Sequence, residues 1–121
     1  MRPKPLIYIA GAYRVPDPVA NTAEAMERGR QVYDVIGVPV MIPHLSLFQH
    51  LQRYGTDQYW LDYTMHQMRA CDAVFRISNR FSAGSDAEEA EAVRMGIPVF
   101  HSMAPLAEWC KHWGEKRESD R

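Results

Sequence analysis

Short apolar runs rich in β-branched and aromatic residues alternate along this chain with longer stretches in which apolar side chains recur every three or four positions. The run PLIYIA (5–10), bounded by Pro5 and Gly11, predicts a first strand. Pro16 and Pro18 predict a loop over 14–20. Asn21 with Glu24 three residues on has capping-box spacing, and Ala25, Gly29, Val32 and Ile36 then mark one face of a helix over 21–36 that Gly37 stops. VPVMIP (38–43) predicts a second strand closed by Pro43. The pattern from 44 to 58 is mixed and reads as partly helical, whereas YWLDYTMHQMRA (59–70) carries Leu61, Met65 and Met68 on one helical face. A third strand (72–77), a helix (Ser85–Met95), a fourth strand (97–100) and a closing helix (105–113) follow, and the charged end GEKRESDR (114–121) predicts a frayed, disordered tail.

Strands alternating with helices predict an α/β fold whose sheet is covered on both faces. With right-handed crossovers the simplest arrangement is a flavodoxin/Rossmann-like three-layer sandwich of four or five mainly parallel strands, in the order 2-1-3-4 or close to it. The 121-residue length suits one domain, taken as 1–113. In such sheets ligands bind beyond the carboxyl ends of the strands, which gathers four loops: GAYR, PHL, SNRFSAGSD and HSM.

Composition narrows the partners. Fourteen basic residues against fifteen acidic ones give a formal net charge of −1, so nothing argues for a nucleic-acid polymer or a membrane surface, and a small molecule is the expected ligand. The apolar run near the N-terminus ends at Gly11 and reads as a strand rather than a secretory leader. Cys71 and Cys110 stand outside any C-x-x-C pair and read as reduced thiols of a cytoplasmic protein. His50, His101 and His112 have no partners at metal-ligand spacing, so no metal is expected.

The stretch from Ser82 to Glu89 holds the chemistry. Ser82, Gly84 and Ser85 offer hydroxyls and backbone amides at a helix start, where the dipole favours a phosphate. Three carboxylates, Asp86, Glu88 and Glu89, follow at once. On one reading Ser85 and Glu88 form a capping box and the acids are ordinary first-turn residues. On the other, Glu88 stays ionised at the helix start, faces the cleft, and attacks a sugar carbon as a nucleophile. Elsewhere, Arg14 either forks onto a phosphate or is exposed, and Tyr13 either stacks on a base or packs on its loop. His44, just past the second strand, either donates to a ligand or is a hydrogen-bonded structural histidine. Asp62 and His66, four apart, read as a surface pair. Trp60 reads as packing, as a wall of a base pocket, or as a subunit contact, and Met65, Met68 and Met95 read as core filler.

The segments YIAGAYR, W…CDAVFRI and S-x-G-x-x-x-E-x-x-x-A-x-x-x-G-I-P-V (Ser82 to Val99) together resemble the nucleoside 2-deoxyribosyltransferase-like superfamily, which includes deoxyribosyltransferases and deoxynucleoside 5′-monophosphate N-glycosidases. The resemblance implies that Glu88 is the nucleophile and that the loop matching Gly11 to Arg14 lines the sugar and phosphate pocket. A serine six residues before the nucleophile is the monophosphate glycosidases' pattern, so Ser82 tilts the expectation to a 5′-phosphorylated ligand and to hydrolysis over transfer. The family aspartate that helps handle protons would fall eight residues before Asp72, where this chain has Thr64, with Asp62 two residues earlier. Either Asp62 takes that role or the domain is a non-catalytic nucleotide binder. The resemblance further implies no cofactor and a homo-oligomer, for which Trp109 and Trp113 offer an apolar patch unless they pack on their own sheet.

Overall fold

The computed structural model describes residues 2–46, 56–77 and 82–115. Its centre is strand β1, Ile7–Ala10, every residue of which is fully buried. Strand β3, Ala73–Arg76, lies beside it in parallel, with Ile7 opposite Ala73 and Ala10 opposite Arg76. Strand β2, Val40–Met41, flanks β1 on the other side, and β4, Val99–Phe100, flanks β3. The sheet is therefore all parallel in the order β2-β1-β3-β4.

Parallel strands bury both faces, and alternate side chains divide between them. Ile7, Ile9, Ala73 and Phe75 point to one side, where helix α1 (Pro18–Gln31), the π turn that continues it (Val32–Ile36) and helix α5 (Met103–Lys111) supply Ala25, Val32 and Leu106. Tyr8, Ala10 and Val74 point to the other, against Met68 of helix α3 (Asp57–Arg69) and Ala92 of helix α4 (Ala83–Arg94). Two apolar layers with one sheet between them make a flavodoxin/Rossmann-like sandwich. Among the described residues no helix is long and apolar enough to cross a membrane.

Several boundaries differ from the sequence pattern, each for a local reason. Helix α1 starts at Pro18, because Asp17 accepts from the Val19 amide and a proline suits the first helical position. Asn21 is thus no cap. It is buried inside the first turn, and its Nδ2 donates to the Tyr13 and Val15 carbonyls at 2.9 and 3.0 Å, tying down the loop after β1. Gly37, at φ 81°, does end the helical stretch, taking the Tyr33 and Val32 carbonyls in a left-handed turn. Pro43 opens a short helix, α2 (Pro43–Ser46), instead of closing β2, so that strand is shorter than its apolar run.

At the end of the chain, Trp109 packs against Phe100 and the α1-side core, and the Trp113 indole donates to the Arg2 carbonyl, so these aromatics serve their own subunit. Met95, expected in the core, is 41% exposed, since α4 ends before it and Gly96 turns the chain back. Residues 113–115 continue helically, and the rest of the expected tail, 116–121, lies outside the described residues, as does the ambiguous stretch 47–55 with His50.

Leu106 is the fully buried residue through which α5 joins the core. Leu106→Ala is expected to cost about 2–5 kcal/mol, read as a lower urea midpoint with an unchanged slope.

Candidate active site

Beyond the carboxyl ends of β1 and β3 lies a cleft of about 650 Å³. One wall is the loop from Gly11 to Pro16, pinned by Asn21, and another is Pro43 and His44 of α2. Trp60, Leu61 and Thr64 of α3 face it, Ser82 to Ser85 form the edge at the start of α4, and Tyr8 and Glu88 complete the lining. Gly11, Tyr13, Arg14, His44, Ser82, Gly84, Ser85 and Glu88 are thereby brought together from three segments. Asp62 is not. It is exposed on α3 and accepts from Gln58 Nε2 at 2.8 Å, while Thr64, two residues on, takes the cleft side. The reason is helical phase: two residues rotate a side chain by about 200°, so Thr64 and Asp62 look in nearly opposite directions. Asp62 consequently pairs with Gln58 rather than with His66.

The local start of α4 settles the capping question. Ser82 is extended, at φ −153° and ψ 106°, and its Oγ accepts from the Ser85 amide at 3.2 Å while donating to Ser85 Oγ at 3.0 Å. The cap is therefore Ser82, and Ser85 is the third helical residue. Glu88 is the sixth, too far along to reach back over the N-terminal amides. Its carboxyl instead accepts a hydrogen bond from the buried Tyr8 hydroxyl. The amides of Ala83 and Gly84, in the first turn, have no intrahelical acceptor and point out of the helix start. Gly84 keeps that edge low, and Gly11 is needed where β1 ends, since a Cβ there would stand 2.9 Å from Ile77 Cγ1.

The electrostatics of Glu88 reverse the sequence expectation of an ionised helix-start carboxylate. Burial pushes its carboxyl up to about 7, against hydrogen bonding to Tyr8 and Thr64 and the Arg76 charge, all of which pull it down. The helix dipole has faded by the second turn, so desolvation wins. The Tyr8 phenol is raised well above its usual range, by burial first and then by the Glu88 charge, and so remains a donor. His44 is also buried; its Nε2–H donates to the Ala12 carbonyl at 3.0 Å, and desolvation lowers its pKa, leaving a neutral ring whose Nδ1 has no hydrogen-bond partner among the described residues. Tyr13 meets the His44 ring edge-on at 6.0 Å, and Trp60 stacks edge-to-face with Tyr59 and Tyr63, so two separate aromatic groups reach the cleft lining.

Tyr8 is a site residue that the sequence pattern did not single out, and Thr64 entered only as the residue standing where the resemblance implies an aspartate. The signal for Tyr8 lay in strand alternation: it is the hydroxyl-bearing residue in a buried run, on the face opposite Ile7 and Ile9. Among the described residues no group of three or more His, Cys, Asp or Glu side chains could hold a metal ion.

An acid raised from 4.5 to about 7 by folding holds its proton longer in the folded chain. Below 4.5 both states are protonated; between 4.5 and 7 unfolding releases a proton, and stability falls as pH rises. At about 1.4 kcal/mol per pH unit the loss is on the order of 3 kcal/mol above pH 7. Glu88→Gln, which can still accept from Tyr8, is expected to match the wild type in urea denaturation at pH 4 and to exceed it by on the order of 3 kcal/mol at pH 8.

No protein-family model matches the chain, and no curated protein sequence matches it either.

Proposed function

We propose that this protein cleaves the N-glycosidic bond of a 2′-deoxynucleoside or its 5′-monophosphate, with Glu88 as the nucleophile, as the resemblance to the nucleoside 2-deoxyribosyltransferase-like superfamily implies. The observation that carries the reading is the Glu88 carboxyl itself: buried, held by a buried tyrosine, and lining a cleft that aromatic residues and a helix start also line. The aromatic residues Tyr13 and Trp60 suit a base. The Ala83 and Gly84 amides, the Ser82 hydroxyl and Arg14 suit a phosphate, and on this reading the sugar would lie beside Glu88.

In the reaction a Glu88 oxygen attacks C1′, the C1′–N bond breaks, and its electron pair leaves with the base. Water then cleaves the glycosyl ester, releasing the sugar and restoring the carboxylate. Tyr8 orients the carboxyl by donating to it. Thr64, not a carboxylate, stands on the cleft side of α3, so the departing base takes its proton from water. Hydrolysis is preferred over transfer because a serine six residues before the nucleophile, here Ser82, is by the resemblance the pattern of the monophosphate glycosidases.

A second reading, a nucleotide-binding module without turnover, is favoured by one observation: Asp62 faces solvent. Against it stands the cost of Glu88. A carboxylate beside an anion site opposes phosphate binding when ionised, and its burial destabilises the fold above neutral pH. A pure binder would gain on both counts from a glutamine there.

The two readings separate on base release. The full chain and Glu88→Ala are incubated with the four deoxynucleosides and their 5′-monophosphates, and free base is followed by chromatography. The wild type is expected to release base from at least one monophosphate, and the variant to be slower by roughly a thousandfold or more. Because the nucleophile is the carboxylate, kcat/KM should rise with pH through a midpoint of about 7 and level off above it. Tight monophosphate binding with no release at any pH would establish the binder.

A further inference from the structure

Strand β3 is apolar and fully buried until its last residue, where a charged one appears: Ala73, Val74 and Phe75 are 0% exposed, and Arg76 is 9% exposed. Its side chain lies on the same face as Val74, Tyr8 and Ala10, hence on the α4 side of the sheet, because Arg76 pairs with Ala10 and Val74 with Tyr8. Its Nη1 donates to Asp86 Oδ1 at 2.9 Å and lies 3.4 Å from Glu89 Oε1. Glu89 is held in turn by His101 Nε2 at 3.1 Å, from just past β4. Asp86 and Glu89, three residues apart, share one face of α4, so the guanidinium grips the helix over the turn that also carries Glu88.

We propose that Arg76 is a positioning residue for Glu88: its buried guanidinium, clamped by Asp86 and Glu89, fixes the first two turns of α4 and supplies the cation that offsets the Glu88 carboxylate. Core packing alone does not call for an arginine here. A buried ion pair is commonly no more stabilising than an apolar side chain of similar volume, and Asp86, at 56% exposed, gives the pair much of its solvation. What an apolar residue would not provide is a positive charge on the α4 side of the sheet, held against the helix that carries the buried acid. The groups around Glu88 are Tyr8 from β1, Arg76 from β3, Thr64 from α3 and Ser85 on its own helix, with Asp86, Glu89 and His101 behind Arg76 and His44 elsewhere in the cleft lining. Among these Arg76 is the cation whose charge lowers the Glu88 pKa. Arg76 does not line the cleft. The inference concerns Glu88's charge and orientation, and it holds whatever bond the cleft cleaves.

The test follows the Glu88 carboxyl carbon by NMR in full-length protein labelled at glutamate Cδ, with Glu88→Gln assigning its resonance. Arg76→Met is expected to raise the midpoint by about one pH unit, a tenfold loss of carboxylate below the midpoint, and Arg76→Lys to restore it to within a few tenths. A midpoint unchanged in Arg76→Met, with a native amide spectrum, would overturn the proposal and leave Arg76 a clamp of the fold alone. Should Arg76→Met strand its two acids and not fold, the same comparison is made in an Asp86→Asn/Glu89→Gln background, where removing Arg76 leaves no acid partner unpaired. A further rise supports the proposal there, and no movement overturns it. Base release read in parallel keeps the two questions apart: absence of turnover in every variant counts against the glycosidic reading, while the carboxyl midpoint still judges Arg76.

Discussion

The hydrogen bond from the Tyr8 hydroxyl to the Glu88 carboxyl joins residues 80 positions apart and ties the central strand to the helix that edges the cleft. Everything about the site follows from where those two groups can meet. Parallel pairing of β1 with β3 turns Tyr8 away from the Ile7 and Ile9 side and into the α4 layer. The early start of α4 at Ala83, set by the Ser82 cap, then carries Glu88 past the reach of the helix amides and down onto the phenol. A cap three residues later would leave Glu88 at the helix mouth as an ordinary first-turn acid.

This arrangement costs stability above neutral pH. An acid sealed from water, with hydroxyls as its immediate partners and one cation behind it, sits near neutrality, where both protonation states are populated. The same cleft is lined by the start of α4, by Tyr13 and Trp60, and by the acid itself. The fold contributes this by position alone: the elements are short, and the polar groups are gathered from loops at one edge of the sheet.

Much of this was legible in the residues. Proline and glycine punctuation together with the apolar runs gave the element order and the 2-1-3-4 sheet, because those signals are local. The cleft residues of the strand-end loops were legible too, since topology alone brings such loops together. What could not be read were the facts that depend on phase and depth. The choice between Ser82 and Ser85 as cap, which fixes where Glu88 points, turns on one residue's backbone angle. The Asp62 side faces solvent because helix α3 presents Thr64 to the cleft. Glu88's ionisation reversed the expectation because desolvation is a property of the packed layer, not of the helix start. Asp17 displaced Asn21 as the cap of α1 because two candidate caps lay four residues apart, and Pro18 favoured the earlier one.

The lengths of the outer strands carry a different kind of consequence. Strands β2 and β4 each pair over only two residues, so among the described residues the sheet presents very little unpaired backbone at either border. Long, flat borders are where one chain recruits another through its main chain, and proteins commonly blunt them. Here the blunting is done by brevity. A border this small gives a neighbouring molecule almost no template for adding a strand.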